Sequence, residues 1–195
     1  MAVNDSLLLL AQGRAGVTVY RLEGLGGVEF VRNINSTAVV FAFDVAMSGD
    51  HGYIAWGTAG LHVVDLRRLH VGSGFVGALQ TDFAAKAVAI AGSYALISQL
   101  SKLEIADVRS PAAPVLVGVA PVPGNPASLT VFATTAYVSG GSDGVQLINI
   151  ADSANPIPSG TINLGGTIMG VDADELFLYA VDQDNGLIVT GVQCE

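Results

Sequence analysis

The feature that most constrains this chain is one segment that recurs five times at nearly constant spacing. Successive copies start 44, 42, 42 and 42 residues apart. Each copy alternates apolar and mixed positions with period two, as in the run from 16 to 22, and this alternation predicts a β-strand. Each repeat of this length is one supersecondary unit, and the structure of that unit determines the fold of the whole chain. The copies begin at Gly16, Gly60, Lys102, Gly144 and Gly186.

Each copy belongs to a longer unit that contains four strand-like segments. A short apolar segment precedes each copy, and a turn with Gly, Ser or Asp separates the two. The pair of segments predicts a β-hairpin. These preceding segments are 8–13, 53–57, 94–98, 136–140 and 177–181. A further segment, rich in small residues, comes before the hairpin at 44–49, 87–92, 128–133 and 170–174. A less regular fourth segment follows it at 29–32, 75–79, 115–118 and 157–161.

Four strands in about 42 residues is the size of one propeller blade. The sequence therefore predicts an all-β fold, a β-propeller of five repeats with four antiparallel strands per blade. Residues 1–195 form a single domain in this interpretation, with both terminal blades slightly incomplete. A closed five-bladed ring accounts for the length best, and the alternative is a segment of a six- to eight-bladed propeller whose exposed edges would need a cover. The repeats are assigned to 1–43, 44–86, 87–127, 128–169 and 170–195.

The composition excludes several classes of protein. Hydrophobic residues make up 51% of the chain and charged residues 13%, which excludes a disordered chain. The mean hydropathy is +0.55, yet the longest apolar run, 38–43, ends at Asp44 and is too short for a transmembrane helix. Residues 1–13 have no basic residue and too short an apolar run for a signal peptide, so none is expected.

The charge and the cysteine count exclude further classes. The net charge is −9 and only two lysines are present, so no basic stripe exists for nucleic acid or for an anionic membrane surface. The lone cysteine, Cys194, excludes an internal disulfide framework and a cysteine zinc site.

Two stretches resemble a known propeller repeat. Residues 94–118 place Tyr-Ala-Leu-Ile before Leu-Glu-Ile-Ala-Asp-Val and an Arg-Ser-Pro turn, and residues 137–156 repeat the pattern through Leu-Ile-Asn-Ile-Ala-Asp. This unit resembles the LVIVD repeat of bacterial and archaeal propeller proteins. The first repeat departs from it at 23–27, and the last stops before the turn. The resemblance implies a propeller fold, export or attachment to the cell surface, often within a longer chain, and no shared catalytic motif.

The predicted binding surface is the face where the hairpin turns meet the links between blades, because loops on a rigid scaffold are the usual functional positions. Trp56 has two interpretations, packing between blades or a stacking platform for a sugar or peptide. The candidate residues on this face are Arg14, Asn35, Trp56, Asp82, Asn125 and Asp143.

One turn has the beginning of a calcium loop. Asp182 and Asp184 stand two residues apart before Asn185 and Gly186, and calcium requires several oxygen ligands. The alternative is a hairpin turn that uses these residue types for backbone geometry. The three histidines do not form a ligand set, and no cofactor is expected.

The function expected from these features is a non-catalytic binding or structural module that recognises a protein or a glycan, extracellular or on a cell surface. The alternative is a propeller glycosidase or lyase. It requires acids to gather at one channel mouth, with one pair about 5–9 Å apart. The acids considered for this are Asp44, Asp82, Asp143 and Asp182. Asp65, Asp107 and Asn149 recur after the third strands and are expected to accept backbone donors in the following turn.

Overall fold

A computed structural model describes residues 1–35 and 40–192 of the chain. The described residues form β-strands and two short 3₁₀ helices, Gly24–Gly26 and Leu66–Arg68. Among them, no helix is long and apolar enough to span a bilayer.

The strands form five separate antiparallel sheets. The first sheet contains β1 (Ala2–Val3), β2 (Leu7–Ala11), β3 (Val17–Glu23) and β4 (Gly27–Ile34). The second contains β5 (Asp44–Ser48), β6 (His51–Ala55), β7 (Leu61–Asp65) and β8 (Phe75–Leu79). The third contains β9 (Ala87–Ala91), β10 (Tyr94–Gln99), β11 (Lys102–Asp107) and β12 (Val115–Pro121). The fourth contains β13 (Leu129–Phe132), β14 (Thr135–Ser139), β15 (Val145–Asn149) and β16 (Ile157–Ile162). The fifth contains β17 (Ile168–Ala173), β18 (Phe177–Asp182) and β19 (Gly186–Gly191).

Within each sheet the strand order follows the chain. The five sheets are the five blades of a β-propeller, which confirms the predicted fold. Four blades have four strands, whereas the described part of the fifth has three, and β1 has only two residues. Residues of all five innermost strands, β1, β5, β9, β13 and β17, line one central channel of about 420 Å³.

Apolar side chains pack between successive blades. In each of the first four blades one face contacts the following blade. This face and its equivalent in the fifth blade are called the forward face, and the opposite face is the backward face. Leu96 and Leu103 on the forward face of the third blade, for example, share a core with Ala136 and Val138 on the backward face of the fourth. Both faces of β6, β10 and β14 are therefore buried, which explains the high mean hydropathy of the chain.

The outer strands share an irregularity that explains their less regular sequence. The pairing register shifts by one residue between Val63 and Val64, and the same shift recurs at the equivalent position of the other three four-stranded blades. Such a β-bulge leaves one residue unpaired and changes which side chains share a face. The outer strands consequently lack a simple alternation.

The acids after the third strands have the expected structural role. The carboxylate of Asp65 accepts the Arg67 amide at 3.0 Å, and that of Asp107 accepts the Arg109 amide at 2.9 Å. Asn149 accepts the Ala151 amide at 2.9 Å with its side-chain oxygen. These recurring polar residues stabilise the turns that follow, as predicted.

Candidate functional site

The hairpin turns and the links between blades lie together on one face of the propeller. Isolated bridges join Gly13 to Ala42, Gly57 to Ala85 and Gly141 to Ile168. Each bridge connects a hairpin turn of one blade to the link that leads into the next blade. The turns and links therefore form one continuous surface.

Two exposed phenylalanines on the first link stack on each other. The rings of Phe41 and Phe43 are 5.8 Å apart with an interplanar angle of 24°, and they are 38% and 46% exposed. Phe41 Cδ1 lies close to Gly13, while Phe43 Cε2 lies close to Gly57. The pair thus spans the hairpin turns of the first and second blades.

Each of these rings has a cation beside its face. The Arg14 guanidinium carbon is 5.1 Å from the Phe41 centroid, and Lys86 Nζ is 5.1 Å from the Phe43 centroid. Cations at this distance are attracted by the ring quadrupole. Arg14 and Lys86 make no ion pair with a carboxylate among the described residues, so their charges are available to a ligand.

A third exposed phenylalanine lies on the second link. Lys102 Nζ is 5.5 Å from the centroid of Phe83, and it also forms ion pairs with the exposed Asp82 and with the buried Glu104. The hydrogen bonds that Lys102 donates to these carboxylates raise its pKa, the one to Asp82 most strongly. Phe41, Phe43 and Phe83 with Arg14, Lys86 and Lys102 are called the phenylalanine surface below.

Three other predicted residues take different positions on this face. Asn35 is exposed, and its Oδ1 lies against Gly16 in the first hairpin turn; residues 36 and 37 of its link lie outside the described residues. Asn125 lines a cavity of about 370 Å³ between the fourth and fifth blades. Asp143 lies next to Gly124. The structure therefore brings Arg14 and Asp82 together at the phenylalanine surface. Asn125 and Asp143 lie around Gly124, apart from this surface.

Trp56 does not lie on this surface. Its side chain is 1% exposed, and its ring packs 5.4 Å from His62 and 5.3 Å from Phe75. Of the two interpretations of Trp56, packing is the one that the structure shows. A ring without solvent access is not a stacking platform, so its selection as a binding residue is corrected.

The predicted calcium residues form a hydrogen-bonded turn. Asp182 is buried, and its Oδ1 accepts the amides of Asp184 and Asn185 at 3.0 and 2.7 Å and Asn185 Nδ2 at 2.8 Å. These hydrogen bonds, chiefly that from the Asn185 amide, lower the pKa of Asp182. Asp184 is exposed. The described residues contain no group of three metal-ligating side chains. The three donors of the turn contact Asp182 Oδ1, whereas the buried Oδ2 has no hydrogen-bond partner among the described residues.

Of the four acids considered for catalysis, the central channel holds only Asp44. Its carboxylate accepts the amides of Val45 at 2.8 Å and Val88 at 3.1 Å, and burial raises its pKa above the ordinary value. Asp82 is paired with Lys102, whereas Asp182 is enclosed in its own turn. These acids do not gather at one channel mouth.

Comparison with known families agrees with this architecture. The family model described as "LVIVD repeat" matches residues 41–66, 84–120 and 165–191, in the second, third and fifth blades. Three of the five blades therefore match the LVIVD repeat, and the chain is called the LVIVD propeller below. No curated protein sequence matches it.

Solved structures show the same fold. The LVIVD propeller is similar to the computationally designed Ika8 protein, with a TM-score of 0.71 and 7% identity over 97% of this chain and 57% of that chain. It is also similar to the computationally designed Ika4 protein, with a TM-score of 0.66 and 6% identity over 82% of this chain and 94% of that chain. This LVIVD propeller spans about 57% of the length of the first of these structures.

Sequence reasoning missed the phenylalanines of the LVIVD propeller. Residues 38–43 were interpreted only as an apolar run, and Phe83 only as part of a link. A usable signal was present, because Phe41, Phe43 and Phe83 are large aromatic residues that lie in the links between blades, outside the periodic strand segments. Lys86 and Lys102, the only lysines, lie near them in sequence or across the hairpin turn.

Proposed function

We propose that this LVIVD propeller is a non-catalytic module that binds a protein partner through the phenylalanine surface. The observation behind the proposal is that three exposed phenylalanines share one face with three cations, two of which have no carboxylate partner among the described residues. Aromatic and cationic side chains that desolvate together provide most of the binding energy in many protein interfaces.

The chemistry of this surface specifies the kind of partner. The rings would receive an apolar side chain, and Arg14 and Lys86 would bind carboxylates next to it. Because the chain has a net charge of −9, an acidic partner would be repelled elsewhere and attracted mainly at this patch. We therefore propose a protein segment that combines apolar and acidic residues.

A protein partner is favoured over a glycan by what the surface offers. Trp56, the single tryptophan, is buried, and tryptophan is the side chain that the sequence suggested for stacking on a sugar. The proposed site has instead three phenylalanines, whose rings lack polar groups for sugar hydroxyls. The module is proposed to act in an exported or surface-associated protein, in keeping with the family resemblance.

The test is selection from a displayed library of random linear peptides on the purified propeller, with a variant as counter-selection. The variant has Phe41→Ala and Phe43→Ala, and the control is Ile157→Ala. Ile157 is 62% exposed on the outer strand β16, so the Ile157→Ala substitution removes a similar exposed apolar group far from the links. We expect peptides with apolar and acidic residues that bind the native chain and the control equally and the variant at least about tenfold more weakly, the equivalent of about 1.4 kcal/mol.

Three results would contradict the proposal. Failure to enrich any peptide would remove its basis, and so would peptides that bind the Phe41 and Phe43 variant as well as the native chain. Binding to a glycan array that survives both phenylalanine substitutions would favour a carbohydrate ligand. Binding should also weaken with rising salt, because the Arg14 and Lys86 contacts are near the surface.

A further inference from the structure

The fifth blade exposes positions that are core positions in every other blade. The second residue of the recurring segment is Val17, Leu61, Leu103 or Val145 in the first four blades, each at 0% exposure, whereas the equivalent Leu187 is 65% exposed. Two residues later, Val189 is 50% exposed. The uncovered forward face of the fifth blade, called the fifth-blade face, consists of Phe177, Tyr179, Val181, Leu187 and Val189.

The first blade exposes the complementary set. Leu8 and Leu10 are partly exposed, whereas the equivalent Ala95 and Ile97 of the third blade are fully buried. On the outer strand of the same face, Phe30 is 60% exposed and packs edge-to-face on Tyr20 with centroids 6.1 Å apart. This backward face is called the first-blade face.

The two faces are the two halves of an ordinary contact between blades. Each of the four apolar cores joins one blade to the next along the chain, and none of these cores includes residues of both the first and the fifth blade in the described part of the molecule. The molecule's own first blade therefore does not cover the fifth-blade face. Contiguous exposed apolar surface of this kind marks an interaction site.

We propose that the fifth-blade face binds the first-blade face of a second copy of this chain, so that blade stacking continues from one molecule into the next. The repeat supports this occupant, because the fifth-blade face has apolar residues at the positions that bind a backward face in the other blades. The first-blade face is the surface of this chain that has the backward-face pattern and is still exposed.

The distribution of charge favours this head-to-tail arrangement over a symmetric one. Residues 168–191 contain five carboxylates and no lysine or arginine. Two fifth-blade faces in contact would bring together two acidic blades that contain no lysine or arginine, and like charges near an interface oppose association. Residues 1–43 contain three arginines and three acidic residues, so a first-blade face meets the acidic blade without net repulsion.

The test is the molar mass of the purified chain by size-exclusion chromatography with light scattering between about 1 and 100 µM. We expect oligomers of the native chain at the upper concentrations. Leu187→Asp, on the fifth-blade face, and Phe30→Asp, on the first-blade face, should each shift the chain to a monomer. Ile157→Asp introduces the same charge at an exposed outer strand and should leave the oligomer intact. Thermal melts of all three variants verify that the monomer still folds.

Mixing the two face variants gives the decisive result. The Phe30→Asp chain keeps an intact fifth-blade face, and the Leu187→Asp chain keeps an intact first-blade face, so an equimolar mixture should form a dimer although neither forms one alone. A native chain that stays monomeric at 100 µM would overturn the proposal. It would also be overturned by an oligomer that persists in either variant, or by a mixture that stays monomeric. None of these substitutions touches the phenylalanine surface, so the outcome is independent of peptide binding.

Discussion

Glycines on the outer strands provide a sharp test of how the blades pack. Gly118 lies on β12 directly after the bulge, opposite Ile105. A Cβ added there would collide with the carbonyl oxygen of Ser153 and lie 2.9 Å from Pro156 Cδ, both in the turn of the following blade. Gly160 is the equivalent residue of the fourth blade, opposite Leu147. No described atom lies within 4 Å of a Cβ at Gly160.

The two substitutions to alanine should therefore change stability in opposite directions. Alanine in place of a strand glycine stabilises a protein by about 0.5–1 kcal/mol, because the unfolded chain loses less freedom. At Gly160 this gain stands alone, and we expect the Tm to rise by about 1–4 °C. At Gly118 the collision is with backbone, and overpacking of about 3 kcal/mol exceeds the gain. A net loss of about 2 kcal/mol corresponds to a Tm about 4–8 °C lower.

The assay is thermal and urea unfolding followed by circular dichroism on the native chain, Gly118→Ala and Gly160→Ala. Gly77→Ala serves as a second case, because a Cβ there would collide with the carbonyl oxygen of Pro111. A Gly118→Ala chain as stable as Gly160→Ala would refute the reasoning, since it would show that the following turn does not press on the outer strand.

Three further predictions concern single residues. The pKa of Asp65 is lowered to about 2, chiefly by its hydrogen bond from Arg67. A lowered folded-state pKa stabilises the fold at pH values above the unfolded-state pKa near 3.8, so the Tm should fall as the pH drops from about 4 to 2. The Asp65→Asn substitution should flatten this fall. A steeper fall in the Asn variant than in the native chain would be contrary to expectation. Because three donors already occupy Asp182 Oδ1, we expect the Tm to be the same in calcium and in EDTA. Calcium at 100 times the Kd of a site would add about 2.7 kcal/mol to the free energy of unfolding. A rise in Tm that EDTA reverses would re-establish the calcium hypothesis. Trp56 is buried, so its fluorescence should resist iodide quenching and remain unchanged by sugars, and strong quenching would show that the ring is exposed.

Much of the fold could be predicted because the determinants are local and repeat. The period of about 42 residues, the hairpin turns and the resemblance to the LVIVD repeat led to five blades, and the structure confirms them. The roles of Asp65, Asp107 and Asn149 were also predictable, because a side chain that caps the amide two residues later requires only local geometry. Recurrence within one chain pointed to the same structural task in each blade.

The candidate site was predictable only as a face. Arg14 and Asp82 lie in the phenylalanine surface, but Trp56 is buried, and Phe41, Phe43 and Phe83 were not selected. Apolar residues in links do not reveal from sequence whether they turn inward or outward. For Trp56, at the end of a strand, the sequence likewise did not reveal the direction of the side chain, and the structure places it in the core.

The sequence by itself determined the unit: strand periodicity, turn residues and spacing specify a four-stranded blade, because each of these depends on neighbours within about 42 residues. Only the tertiary structure decided what each blade meets. Leu61 and Leu187 occupy the same place in the repeat, yet one is fully buried and the other is 65% exposed. The difference arises because burial on a blade face depends on the next blade, and the fifth blade has no following blade among the described residues. The phenylalanine surface follows from the same principle, since the stacking of blades brings links and turns from different repeats onto one face.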